Sequence, residues 1–371
     1  MPKKRKKKLK WKALVSCTLI FTIVIILFIL CIKKNDNEEV FLESNNKLSL
    51  IMTGDVLIHS SVYDDAYENG KYNFDKMLSL VKPIVKEYDL AFYNQESILG
   101  GTSLGLSSYP AFNSPFEVGE AFTNIGFNLV SLANNHTLDR GKSAVIASNN
   151  YWDSKINVVT SGSSNNSNSS KPKIYEKNGI TYTLLAYTTT TNGIIPPNDY
   201  YVNVYSKKKV ISDIDTIKDK VDLILVSMHW GEEYNHNPTN EQKNIAKYLS
   251  SLGVDIVIGH HSHVVGPIDY IGDTLVIYSL GNFLSGQEGI DKQVGLMVSL
   301  DIEKENDIVS ISRPTAMLTY TYYKENTVKY DFKIYPFNKL NNDILLGYKN
   351  YYNKYMEIIT SYSDKVIASP I

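Results

Sequence analysis

Cysteine is nearly absent from this 371-residue chain, and both copies, Cys17 and Cys31, fall inside one apolar run near the N-terminus. The rest of the sequence has neither a disulfide framework nor a thiolate metal site, so any metal it holds must be bound by His, Asp, Glu or Asn. Basic charge is equally scarce beyond the first 34 residues. Those 34 carry ten Lys and Arg and no acidic residue, whereas positions 35–371 carry 28 basic against 39 acidic residues, a net charge of −11. A body that acidic is excluded from non-specific nucleic-acid binding, which depends on neutralising phosphates with Lys and Arg. Histidine is also rare, at seven residues, yet three of the seven stand within four positions in "IVIGHHSHVV" at 256–265.

The basic block leads directly into "ALVSCTLIFTIVIILFILCI" at 13–32, twenty residues without a charge. That length suits a bilayer-spanning helix. Eight basic residues precede it and two follow, which predicts a cytoplasmic N-terminus with the main domain on the extracellular side. A cleaved signal peptide is the competing reading, but the run is long for one and no small-residue cleavage site follows. The expected organisation is a cytoplasmic tail (1–12), a signal anchor (13–32), a polar linker (33–47), a main domain (48–340) and a C-terminal helical extension (341–371).

Within the main domain, short apolar β-branched runs alternate with amphipathic segments. Strands are expected at 48–52, 90–93, 129–132, 157–160, 182–187, 223–227, 255–258 and 275–278, and most read as buried on both faces. Helices are expected at 75–87, 117–125, 143–155 and 240–252, the last opening at Pro238-Thr239. The alternation predicts an α/β layered domain. The Ser- and Asn-rich stretch 161–171 reads as a flexible surface loop. From about residue 296 the pattern becomes that of antiparallel strands, followed by a helix near 343–361.

Six of the runs end in the same kind of sequence, with a candidate ligand at each: Asp55; Asn94 and Glu96; Asn135 and His136; His229 and Glu233; His260, His261 and His263; and Asn282. In open α/β sheets, ligands bind outside the carboxyl ends of the strands, so these ends predict one crevice. Carboxylate, amide and imidazole donors without sulfur suit Mn, Fe, Zn or Mg, as one ion or as a hydrolytic pair about 4 Å apart. Each piece alone has a plainer reading as a turn, a helix cap or a satisfied core histidine. His261 and His263, two apart, are expected on one side of an extended segment and are preferred over His260. His59 and His236 lie in polar turn-like contexts and read as structural.

The motifs "TGDVLIHS", "DLAFYNQES", "VSLANNHTLDRG", "VSMHWGEEY", "VIGHHSHVVGPIDY" and "VIYSLGNFL" together resemble the poly-gamma-glutamate capsule biosynthesis proteins of the CapA or PgsA type. That family is a branch of the calcineurin-like metallophosphoesterase superfamily. The resemblance covers roughly residues 48–290 and implies a four-layer α/β/β/α sandwich with a di-metal centre. It implies metal ligation by Asp55, Glu96, Asn135, His229, His261 and His263, with His136 as general acid. Asn94, His260, Glu233 and Asn282 are possible additions. Two departures stand out: the superfamily's first motif, Asp-x-His, reads Asp55-Val56-Leu57 here, and its second aspartate is replaced by Asn94-Gln95-Glu96. The implied roles are metal-assisted hydrolysis of a phosphoester, or an accessory role in which the site binds the anionic polymer or a membrane-embedded synthase subunit.

Overall fold

The computed structural model describes Trp11, residues 21–28 and residues 46–371. Of the expected membrane helix at 13–32, only 21–28 is described, and it is helical. The rest of that segment, the basic tail apart from Trp11 and the linker as far as residue 45 lie outside the described residues. Among the described residues no helix is long and apolar enough to cross a membrane.

In chain order the strands are β1 (Lys47–Leu57), β2 (Tyr67–Glu68), β3 (Lys71–Tyr72), β4 (Leu90–Gln95), β5 (Leu129–Ser131), β6 (Val159–Ser161), β7 (Tyr175–Lys177), β8 (Ile180–Thr188) and β9 (Leu223–His229). They continue with β10 (Ile256–His260), β11 (Ile268–Ile271), β12 (Thr274–Ile277), β13 (Asn282–Ser285), β14 (Val294–Glu305), β15 (Ile308–Glu325), β16 (Lys329–Pro336) and β17 (Ile367–Ala368). One sheet runs β16-β15-β14-β1-β4-β5-β6, with β13 beside β1 and β17 beside β15. The second runs β11-β12-β10-β9-β8-β7, and β2 and β3 form a separate hairpin.

The side-chain alternation of the strands explains the layering. Leu50, Met52 and Phe92 of the first sheet face Leu184, Leu225 and Ile258 of the second in a shared core. Ile51, Ala91, Tyr93 and Val130 point the other way, onto Val62, Val118 and Phe122 of the helices Ser60–Ala66 and Glu117–Asn124. On the far side, Leu185, Ile224, Val226 and Val257 pack against the helices Lys207–Ile217 and Asn240–Ser251. Two sheets face to face with helices outside each make an α/β/β/α sandwich. Strands buried on both faces account for the continuous apolar runs.

Helix Asn240–Ser251 opens as expected, on a capping box in which Thr239 accepts from the Gln242 amide while the Gln242 side chain accepts from the Thr239 N–H. The helix expected at 75–87 is instead two short ones, Asp75–Leu78 and Lys82–Val85. Pro83 lies in the first turn of the second, the position where its missing N–H costs nothing. The C-terminal residues are not set apart from the main domain. Residues 46–371 form one compact unit, with Tyr355, Met356 and Ile359 of helix Tyr348–Thr360 in the core between the sheets. Of the stretch 161–171, Ser161 ends β6 and the rest is irregular backbone tied down locally, with Asn166 Oδ1 accepting from the Asn168 and Ser169 amides.

Candidate metal centre

β1 does not stop at Met52 but continues to Leu57, so Asp55 sits inside the strand, level with Asn94 of β4 and Asn282 of β13. In the second sheet His229 and His260 stand level at the ends of β9 and β10. The ends of both sheets thus meet at one place. The segment after β10 is not extended: His261 and His263 both take left-handed backbone, with φ of 91° and 59°. Their rings, with centroids 6.2 Å apart, are brought together by this turn rather than by strand alternation. Side chains in such backbone cost about 1–3 kcal/mol each and concentrate at functional sites.

The buried groups form two overlapping sets. One ligand atom each from Glu96, His229 and His261 lie within 4.8 Å of one another, and so do those from Asp55, Glu96 and His263. Glu96 belongs to both. Asn135 adds its Oδ1 to the first set, 2.9 Å from His229 Nε2, and His261 Nδ1 lies 3.0 Å from the same nitrogen. Asn94 donates to Asp55 Oδ1 at 2.8 Å. Asn282 Oδ1 holds His263 Nδ1 at 3.0 Å. His260 Nδ1 is 3.2 Å from Asp55 Oδ1, but its ring lies against Phe92 in the core. Glu233 stands apart from these, exposed at the rim.

Whether these residues fit a cation is answered by their unmet needs. Both carboxylate oxygens of Glu96 and Asn94 Oδ1 are buried without a hydrogen-bond partner. Leaving such atoms unsatisfied costs about 1–3 kcal/mol each, and more if charged. A divalent cation would supply the partner that the Glu96 oxygens lack, and carboxylate, amide and imidazole are donor types that hard and borderline cations take.

The electrostatics point the same way. Burial, then the neighbouring Asp55 charge, push the Glu96 carboxyl well above its ordinary range. Burial also opposes ionisation of Asp55, but hydrogen bonds from His260 and His263 override it and hold that carboxyl well below its usual value. Burial and the adjacent imidazoles push His229 well down, and His261 down to about 4. Neutral imidazoles are what a metal requires.

Two neighbours of the site escaped the reading of the sequence. Asp139 accepts from His136 Nδ1 at 2.7 Å and from the Phe112 amide. It thereby fixes the ring of His136 and leaves Nε2 available; the three-residue spacing in "HTLD" was the only clue. Asn192, on the loop after β8, accepts from Asn135 Nδ2 at 3.3 Å, which turns the Asn135 oxygen inward. Nothing local in "TTTTNGIIPP" signals this. Replacing Asn192 with Ala should weaken ion binding at the His229–His261 half by about tenfold, as loss of an orienting partner does, while Asn192→Asp, which still accepts, retains it. Calorimetric titration with Mn²⁺ checks this, and equal affinities for all three proteins would refute it.

Comparison with known proteins places the chain. The model of the family described as "Bacterial capsule synthesis protein PGA_cap" matches residues 49–287. The chain is 24% identical over 321 residues to the PGA biosynthesis protein CapA of Bacillus subtilis, covering 82% of this chain and 80% of that one. It is 29% identical over 261 residues to the capsule biosynthesis protein CapA of Bacillus anthracis, covering 66% and 61%. Among solved structures it is similar to the calcineurin-like phosphoesterase YfkN of Bacillus subtilis, at 12% identity and a TM-score of 0.43, over 73% of this chain and 90% of that one. The layered architecture described above rests on this chain's own packing. With the family model spanning well over half of the sequence and every residue of the centre from Asp55 to Asn282 inside it, the chain belongs to the bacterial capsule synthesis protein family.

Proposed function

We propose that this protein is a membrane-anchored component of poly-gamma-glutamate capsule synthesis, carrying a divalent-metal centre on the extracellular side. The observation that carries the reading is the sharing of Glu96 by two buried ligand sets, in a chain whose relatives are described by name as capsule and PGA biosynthesis proteins. The charge-free run at 13–32 and the surplus of basic residues before it support the anchor and the orientation. The partners in this reading are membrane-embedded synthase subunits and the anionic polymer they extend.

Asp55, Glu96 and His263 would hold one ion, and Glu96, Asn135, His229 and His261 a second. Bound there, a divalent ion supplies Lewis-acid polarisation of a phosphoryl or carbonyl oxygen. The chain's own groups do the rest. Burial excludes bulk water from the ligand sets, and the Asp139 carboxylate holds His136 so that Nε2 can give a proton to a leaving group. This dyad favours a second reading, active phosphoester hydrolysis at an envelope substrate.

Metal analysis of the purified full-length chain is expected to find about one to two divalent ions per chain, reduced in His229→Ala. Less than one ion in the wild type sinks the metal centre. The hydrolytic reading further expects phosphodiester or phosphomonoester cleavage that falls at least about 100-fold in His136→Ala. Absence of any such cleavage by metal-loaded protein leaves the accessory role as the function.

A further inference from the structure

The rim of the centre holds a pair of residues that the ligand sets do not use. Tyr234, half-exposed, sits in left-handed backbone with φ of 65°, a conformation that a bulky residue adopts only where its surroundings enforce it. Its amide donates to Ser262 O at 2.7 Å, between the two histidines of the turn. Its ring stands 6.1 Å from that of His263. Above that ring, 4.8 Å from its centroid, lies the ammonium of Lys292.

Lys292 differs from its neighbours in having no carboxylate within ion-pair distance among the described residues. The acids closest to it in sequence are engaged elsewhere. Asp291 takes the Lys354 ammonium and the Tyr355 hydroxyl, both at 2.6 Å, and Glu288 pairs with Lys329 at 2.8 Å. A ring face attracts an ammonium without neutralising it, so Lys292 is held in place with its charge unspent.

The same segment is fastened to the centre. Asn282 donates to the Lys292 carbonyl and to Gln287 Oε1, both at 2.9 Å, while its own oxygen holds His263. Gln287 in turn donates to the Tyr234 hydroxyl. The side chain that orients His263 therefore also sets the backbone of Lys292, and the rim cation is registered to the metal ligands rather than free on the surface. Glu233, which precedes Tyr234 in the chain and is exposed, is an opposing charge beside the pair.

We propose that Lys292, seated on Tyr234, is an oxyanion-binding subsite beside the metal centre. It would hold a carboxylate of a glutamate polymer or the phosphate of a phosphoester while the adjoining bond lies over the ligand sets. The subsite rests on the metal-centre reading for its purpose but not for its chemistry, so it is tested by binding. The full-length chain is titrated with γ-linked glutamate oligomers of about ten residues and, separately, with inorganic phosphate.

Lys292→Gln is expected to weaken the anion it binds by about tenfold, in keeping with loss of one hydrogen bond to a charged group, with bound metal unchanged. Lys292→Arg should recover most of that loss. Tyr234→Asn, which tolerates the left-handed backbone but removes the ring, should weaken binding to a similar degree. Glutamate oligomer binding that depends on Lys292 supports the subsite and the capsule reading together. Lys292-dependent phosphate binding without oligomer binding supports the subsite and overturns the polymer as its ligand. Equal affinities in wild type and Lys292→Gln for both probes, or binding of neither, overturn the subsite, while the metal content of the same samples reports separately on the centre.

Discussion

Replacing Glu96 with Gln should abolish ion binding at both halves of the centre at once, by at least about 100-fold each, more than an outer-sphere change produces. The reason is its place in both ligand sets; His229→Ala or His263→Ala touches one set only. The stability of the variant should reveal the same residue from the other side. Without metal, the Glu96 carboxyl has a raised pKa in the folded protein. It stays protonated in the fold at a pH where the unfolded chain has already ionised.

The unfolded state then binds fewer protons, so metal-free wild type loses stability as pH rises above the ordinary glutamate value of 4.5, at up to about 1.4 kcal/mol per pH unit. Metal-free Glu96→Gln lacks that contribution. His229 and His261 act in the opposite sense. Their depressed values mean that the unfolded state takes up protons first, so stability falls as pH drops below 6.5, and the His261 contribution continues to fall toward about 4. Asp55 adds stability above its ordinary value of 3.8 that is lost on further acidification. With metal at a hundredfold excess over Kd, wild type gains about 2.7 kcal/mol and Glu96→Gln gains almost nothing. Denaturant melts across pH, with chelator and with Mn²⁺, measure all of this. A metal-induced shift in Glu96→Gln equal to that of wild type would show that the carboxylate is not shared.

Gly54→Ala is expected to cost at least about 3 kcal/mol, at the upper end of what overpacking produces. A Cβ at Gly54 would stand 1.9 Å from the Gly281 carbonyl oxygen, and that oxygen cannot withdraw freely because it accepts from the Asp55 amide at 2.9 Å. Either the contact or the hydrogen bond must yield, and Asp55 moves with it. Thermal melting should therefore show a lowered Tm, and metal binding should weaken in whatever fraction remains folded. A variant that melts within about 1 kcal/mol of wild type would mean that β1 and the β12–β13 turn are looser than their packing indicates.

Much of this was legible in the amino-acid order. The runs 50–52, 223–226 and 256–258 are apolar at successive positions because both faces of each strand are covered, and that pattern survives without any knowledge of partners. The clustering of ligand-type residues after those runs was visible for the same reason, since strand ends in a layered fold share an edge. Helix Lys207–Ile217 went unread because three lysines open it and its apolar positions, Val210, Ile214 and Ile217, are too sparse to announce a face. The turn at 261–263 was misread as extended, since left-handed backbone at histidine has no local signature. Asn192, on the loop after β8, and Lys292, in the short helix Ile290–Gln293, come near the centre only through the fold. Such contacts are properties of the assembled sheets, not of any window of sequence.

The long reach of β1 has one more consequence. Its outer edge is closed by β14, with Lys47 and Glu303 bonded across 256 positions. Asp55 and Glu96 are thus made early in synthesis, while His261, His263 and the strand that locks β1 in place come late. Pairing at such separation is slow, and a site that does not exist before folding takes its ion only as folding completes. On the metal-centre reading, the identity of the ion would then be decided less by these donors, which accept several divalent ions, than by which ion is abundant where the last strand docks.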